Sequence, residues 1–187
     1  MLYDVIVIGG GPAAVAAAVY TARKKLKTLV ITESFGGQSI VSDDIQNWIG
    51  EAHISGFDLA KKLEEHARAY PDAVDIKMPE RVMEVKEAKC TEPGRVCDFE
   101  VKTDQGNSYQ GKTLILAAGA RRRKLNIPGE EQFSGKGVAY CSTCDAPLFS
   151  DKKVAVVGGG NAGLEAVQDL FVISALLCTY IAMGIIK

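Results

Sequence analysis

Short apolar, β-branched runs alternate along the chain with stretches of helix-forming residues, and clusters of glycine mark where one gives way to the other. Tyr3-Asp4-Val5-Ile6-Val7-Ile8 ends abruptly at Gly9-Gly10-Gly11, and Pro12-Ala13-Ala14-Val15-Ala16-Ala17-Ala18-Val19-Tyr20 follows. This order predicts a strand, a tight turn and a helix. A second strand is expected over Thr28-Leu29-Val30-Ile31-Thr32, ending at Glu33. Phe57 to Tyr70 places Leu59, Leu63 and Ala67 on one helical face, with Lys61, Lys62, Glu64 and Glu65 outward. Strand alternation returns at Val82 to Lys89 and at Val96 to Thr103, around the turn Glu92-Pro93-Gly94-Arg95. A third strand runs through Leu114-Ile115-Leu116-Ala117, so the pattern predicts a small antiparallel β layer attached to a parallel sheet. Lys153-Val154-Ala155-Val156-Val157 then meets a second cluster, Gly158-Gly159-Gly160, and a helix opens at Asn161. That helix is amphipathic through Leu170. From Phe171 to Ile186 the chain is uncharged, interrupted only by Ser174, Thr179 and Gly184.

Composition bounds the function without naming it. The 187 residues, 47% hydrophobic and 24% charged, suit a folded globular body and exclude both disorder and a disulfide-stapled miniprotein. A formal net charge of -1 leaves no basic field for a phosphate backbone, so nucleic acid is not expected as a partner. Val5 to Ala22 is uncharged, but Asp4 precedes it and Gly-Gly-Gly-Pro interrupts it, which argues against a signal peptide or anchor. Cys90, Cys97, Cys141, Cys144 and Cys178 form no evenly spaced framework, and a cytoplasmic protein is expected. Cys90 and Cys97 flank a turn and are read as reduced structural thiols. His53 and His66 are the only histidines, and neither is assigned a catalytic or metal role; no metal site is expected.

The first glycine cluster spells Gly9-x-Gly11-x-x-Ala14, a dinucleotide fingerprint with its permitted final alanine. Gly9 allows the sharp turn, Gly11 lets the backbone approach a pyrophosphate, and Ala14 keeps helix and strand close. The helix N-terminus at Pro12 and Ala13 then faces the phosphates, where free amides favour negative charge. Glu33 stands where the motif wants a carboxylate for the ribose hydroxyls. Beyond it, Gly36-Gly37-Gln38 and Gln46-Asn47-Trp48 offer small and amide-bearing residues that could approach a planar ring, or form an ordinary surface loop. The second cluster, Gly158-x-Gly160-x-x-Gly163 with Asn161 and Ala162 between, is a fingerprint with all three glycines.

Between the two lies Cys141-Ser142-Thr143-Cys144. Two thiols at this spacing at a helix start can close a small disulfide ring, and a helix N-terminus or cation would make one sulfur available as thiolate. Asp145 could give or take the proton of exchange. Half of a zinc site and an accidental spacing remain as alternatives; redox chemistry is favoured. Two dinucleotide sites flanking a dithiol suggest an electron relay.

The succession Gly9-Gly10-Gly11-Pro12-Ala13-Ala14, Gly36-Gly37-Gln38, Gln46-Asn47-Trp48, Ala117-Ala118-Gly119-Ala120, Ile127-Pro128-Gly129-Glu130, Cys141 to Asp145 and Gly158 to Gly163 resembles low-molecular-weight thioredoxin reductase and its alkyl hydroperoxide reductase flavoprotein relatives, over residues 1 to about 170. The resemblance implies a three-layer α/β Rossmann-like fold with two dinucleotide-binding domains. Residues 1–118 would be the N-terminal part of an FAD-binding domain and 119–187 a truncated NAD(P)-binding domain carrying the Cys pair. It implies FAD held by Gly9, Gly11, Pro12, Ala13, Ala14, Glu33, Gly37, Gln38, Asn47, Ala118 and Gly119, and NADPH or NADH on Gly158, Gly160, Asn161, Ala162 and Gly163. Cys144 would receive electrons from the flavin, Cys141 would attack a partner's disulfide, and Asp145 would be the acid or base. The implied activity is a disulfide reductase serving a thioredoxin-like or glutaredoxin-like protein, working as a homodimer with no membrane partner. The sequence departs from the family pattern at Ala14, usually Gly, at Ala118, where Thr is common, and at Ile49, where Pro is usual.

The relatives are longer, and the sequence after Leu170 resembles nothing in them. Three readings of this tail stay open: a shifted reading frame after a truncating lesion, a membrane anchor, or a buried helix and strand. The abrupt loss of a polar face favours the first. The functional alternative to the reductase is accordingly an inactive fragment, at most a nucleotide-binding module.

Overall fold

A computed structural model describes residues 1–87, 98–120 and 123–173, and the backbone of 177–181. The turn Glu92-Pro93-Gly94-Arg95, Cys90, Cys97 and the rest of the apolar tail lie outside the described residues. The chain divides into two compact units, Met1–Arg121 and Arg122–Lys187.

The first unit contains β1 (Leu2–Ile8), α1 (Pro12–Arg23), β2 (Thr28–Ile31), a 3-10 helix (Gly37–Val41), α2 (Gly56–Arg68), β3 (Val74–Lys77), β4 (Val82–Glu87), β5 (Phe99–Thr103) and β6 (Ser108–Leu116). Its sheet has the order β3-β2-β1-β6-β5-β4. β1 pairs in parallel with β2 and β6, and β2 with β3, while β5 runs antiparallel to both β4 and β6. Central parallel strands covered on both faces need unbroken apolar runs, and every residue of β2 is buried. On one face, Val5, Val7 and Val30 pack with Ala14, Ala18 and Ala22 of α1. On the other, Ile6, Leu29 and Ile31 pack with Val101 of β5, Val82 of β4 and Tyr109 of β6. Helices, parallel strands and an antiparallel arm joined through β6 thus make the three layers expected of the α/β Rossmann-like fold.

α2 starts one residue before the apolar pattern does, because Ser55 caps it. The Ser55 hydroxyl accepts from the Asp58 N–H at 3.0 Å and donates to the Asp58 carboxylate at 2.6 Å, a reciprocal arrangement that satisfies first-turn groups. Ala67 of α2 packs with Val15 and Val19 of α1 and with Phe35.

The second unit opens with irregular chain, then a single turn α3 (Ser142–Asp145), a 3-10 turn (Ala146–Phe149), β7 (Lys153–Val157), α4 (Asn161–Val172) and β8 (Leu177–Ile181). β7 and β8 pair in parallel, Lys153 opposite Leu177 and Val157 opposite Ile181, so β7, α4 and β8 form one crossover unit. Among the described residues, Ala146, Val156 and Leu170 form its buried core. The apolar stretch after Leu170 is therefore no continuous helix: α4 stops at Val172, and residues 177–181 form a strand. Among the described residues, no helix is long and apolar enough to cross a membrane.

Candidate functional site

Each fingerprint folds into the same backbone shape. Gly9 and Gly158 both lie at φ +125°, a conformation that a side chain rarely adopts. Gly11 and Gly160 both cap the following helix in extended conformation, at φ -79° and -88°. Neither α1 nor α4 has a side-chain cap or an acidic residue in its first turn. In α2 the Ser55 side chain fills that role, whereas here the first amides are left for an anion.

Close approach acts at Gly9, Gly10 and Gly37. A Cβ on Gly9 would lie 2.2 Å from the Ala117 carbonyl oxygen, and one on Gly10 would lie 2.3 Å from the Ser34 carbonyl oxygen. The Gly36 N–H donates to the Gly10 carbonyl at 2.9 Å, which folds the Gly36-Gly37 turn over the helix start. Gly37, at φ +59°, would carry a Cβ 3.2 Å from the Gly11 Cα. Gly9, Gly11, Gly37 and the Ala117–Ala118 backbone thus converge at the N-terminus of α1. Above Gly11 itself there is room, since an added Cβ meets nothing nearer than the Gly37 Cα at 3.9 Å. The residues fit a dinucleotide pyrophosphate: small, tightly folded on the protein side and open on the other. Ala14 is fully buried against β1, so its methyl fits the helix-to-strand contact. Gly10 carries tight packing of its own; the triple-glycine run was its only sequence signal.

Glu33, beyond the end of β2, is exposed and lies 3.6 Å from the Arg81 guanidinium, a contact with no signature in the sequence. Gln38 sits in the 3-10 helix after Gly36, and Asn47 in the loop closed by the Ile45–Ile54 bridge; both are exposed, as are Ala118 and Gly119. Within that loop the Asp44 carboxylate accepts from Gln46 at 2.8 Å and pairs with His53 at 3.0 Å. The Gln46 bond and then His53 hold its carboxyl below the usual range.

In the second unit, a Cβ on Gly163 would lie 2.1 Å from the Gly158 carbonyl oxygen, whereas Gly160 faces open space. Asn161 and Ala162 are exposed at the first turn of α4. Cys141 and Cys144 form a disulfide, with Cα atoms 5.2 Å apart. Cys141 is the N-cap of α3 and is half-buried; Cys144 is exposed and Asp145 half-buried. The Asp145 N–H donates to the Cys141 carbonyl at 2.8 Å, closing the turn.

Sequence reasoning gave no role to the carboxylate just upstream. Glu130 is 5% exposed and accepts from the N–H groups of Leu125, Asn126 and Ile127 at 2.8, 2.5 and 3.4 Å and from the Tyr140 hydroxyl at 2.6 Å. The Tyr140 bond, then the backbone donors, hold the Glu130 carboxyl below its ordinary range, and the same bond pushes the Tyr140 hydroxyl up to about 12.

The sequence model of the family described as pyridine nucleotide-disulphide oxidoreductase matches residues 3–178. The chain belongs to this family. Its members use FAD and NAD(P)H. The chain is 48% identical over 168 residues to a NADH dehydrogenase of Bacillus subtilis, covering 90% of this chain and 31% of that protein. It is likewise 48% identical to an alkyl hydroperoxide reductase subunit of Pseudomonas aeruginosa, with the same coverage. Among solved structures, thioredoxin reductase from Streptococcus pyogenes superposes with a TM-score of 0.81 at 36% identity, covering 96% of this chain and 55% of that one. The chain therefore spans about a third of the length of these curated relatives.

Proposed function

We propose that the chain carries the electron-relay half of a flavin-dependent disulfide reductase, with an FAD site on the first unit, an NAD(P)H site on the second and the Cys141–Cys144 disulfide as acceptor. The observation that carries this reading is the repetition of one uncapped, glycine-folded helix start in both units, with a closed dithiol turn between them in sequence. Bound together, the two cofactors supply a two-electron transfer that opens this disulfide.

The chain's own residues would do the rest. The first amides of α1, approached through Gly9, Gly11, Pro12 and Ala13, bind the FAD pyrophosphate, with Ala14 seating the helix. Glu33 accepts the ribose hydroxyls, and Gln38, Asn47, Gly37, Ala118 and Gly119 line the way to the flavin ring. The first amides of α4, at Gly160, Asn161 and Ala162, bind the NAD(P)H pyrophosphate, while Gly163, whose N–H donates to the Gly160 carbonyl at 3.0 Å, seats the helix against Gly158. Cys144 accepts electrons at its sulfur, Cys141 attacks the disulfide of a thioredoxin-like or glutaredoxin-like partner, and Asp145 moves the proton. Cys141 would bond to one sulfur of the partner while the other leaves as thiolate. Attack by Cys144 on that mixed disulfide then restores Cys141–Cys144 and releases the partner as dithiol.

The test is a purified yellow protein whose flavin bleaches with NADPH or NADH. The Cys144→Ser variant should still bleach but fail to reduce a protein disulfide. A chain that retains no flavin, or a variant that still reduces the protein disulfide, contradicts the proposal. A second reading, a nucleotide-binding module without turnover, is separated by the same assay: it predicts flavin retention without bleaching.

A further inference from the structure

We propose that Glu130 is a positioning residue for the Cys141–Cys144 couple, acting through the Tyr140 hydroxyl. This rests on the reading of that disulfide as redox-active. Glu130 lies in a turn well before the dithiol in sequence, yet its carboxylate gathers two segments. Three consecutive N–H groups, from Leu125 to Ile127, converge on it, and Asn126 takes φ +58° to aim them, a backbone nest for an anion. The remaining donor is Tyr140, bonded at 2.6 Å.

The chain between Glu130 and Tyr140 is itself folded, with Phe133 N–H donating to Gly129, Val138 N–H to Phe133 and Gly135 N–H to Val138, at 2.9 to 3.0 Å. Tyr140 is thus held at both ends, by a folded loop and by a buried carboxylate. Its peptide neighbour is Cys141, whose extended backbone (φ -124°, ψ 101°) begins the dithiol turn. A free Tyr140 would let that backbone wander, lowering the effective concentration of one sulfur at the other. The bond therefore favours the closed disulfide over the open dithiol. The Tyr140 hydroxyl remains a donor throughout the neutral range, because the carboxylate beside it opposes its ionisation.

The experiment equilibrates the full chain with glutathione, where two glutathione thiols become one glutathione disulfide as the protein disulfide gains two electrons and two protons. This needs neither flavin nor NAD(P)H, so failure of the cofactor reading, scored separately by flavin bleaching, does not confuse it. Tyr140→Phe and Glu130→Gln should each shift the equilibrium at least threefold towards the dithiol. Tyr109→Phe removes a comparable hydroxyl bond to a buried carboxylate, Glu80, at 3.0 Å. It should leave the equilibrium unchanged, which separates positioning from general loosening. An unchanged equilibrium in Tyr140→Phe, or an equal shift in Tyr109→Phe, overturns the proposal.

If the Tyr140 and Glu130 variants do not fold, the wild-type chain decides by amide exchange. Coupling is reciprocal, so reducing the disulfide should speed exchange at the Leu125, Asn126 and Ile127 amides at least threefold. Rates that do not move overturn the proposal.

Discussion

A single methyl group separates two roles inside each fingerprint. At Gly9 the backbone is at φ +125° and a Cβ would lie 2.2 Å from a carbonyl oxygen, so the residue answers to the fold. At Gly11 the backbone is extended and the space above it open, so the residue answers to what approaches from outside. Gly9→Ala is expected to destabilise the first unit by about 1–3 kcal/mol, the usual cost of holding a strained backbone conformation, seen as a lowered thermal midpoint. Gly11→Ala should leave that midpoint in place and weaken FAD binding at least tenfold in a fluorescence titration. The same contrast recurs downstream. Gly163→Ala, whose Cβ would lie 2.1 Å from the Gly158 oxygen, should unfold the second unit, while Gly160→Ala should fold and lose NAD(P)H affinity in direct calorimetric titration. Equal effects within either pair would mean that these glycines serve packing alone.

Between elements, tyrosines that pack in the apolar core of the first unit reach carboxylates on other strands and loops with their hydroxyls. The Tyr3 hydroxyl on β1 reaches past β2 to the Asp75 carboxylate on β3 at 2.9 Å. Tyr109 on β6 bonds Glu80 at 3.0 Å, ahead of β4. Burial first, and the neighbouring carboxylate second, push both hydroxyls up to about 12. Unfolded tyrosine ionises near 10, so between about pH 10 and 12 the unfolded state has released protons that the folded state retains. Stability from these groups is whole below pH 10 and falls as pH rises towards 12. Denaturant titrations across that window should show this fall, and Tyr3→Phe with Tyr109→Phe should flatten it; an unaltered slope would contradict the assignment. None of these bonds was legible in the sequence, because each joins residues far apart in the chain. What was legible is what repeats locally: the β-branched run and glycines that make β1 and the start of α1, the Leu59 to Ala67 face of α2, and the second fingerprint from Lys153 to Gly163. Boundaries slipped where a side chain decided them, as at Ser55, whose hydroxyl starts α2 ahead of its apolar face. The tail escaped reading for another reason. An uncharged run carries no periodicity to separate helix from strand, and the parallel pairing of β8 with β7 is non-local.

Across the whole molecule, the described residues of the two units are unequal in what they bury. The first has apolar layers on both faces of its parallel strands, with Ile6, Val7 and Leu29 wholly enclosed. The second closes on Ala146, Val156 and Leu170, while Phe171 and Val172 at the end of α4 remain 71% and 80% exposed. Since stability scales with apolar area removed from water, calorimetry of the intact chain should resolve two transitions, the second unit melting first. Ligands then identify which unit is which. A compound that binds only the folded state stabilises it by about 2.7 kcal/mol when present at a hundred times its dissociation constant, enough for a shift of several degrees. FAD should raise the upper transition and leave the lower in place, and NADPH or NADH should do the reverse. Gly11→Ala should cancel the first shift only, and Gly160→Ala the second only. A single transition that both cofactors move together, or one that neither moves, would contradict the assignment of one dinucleotide to each unit.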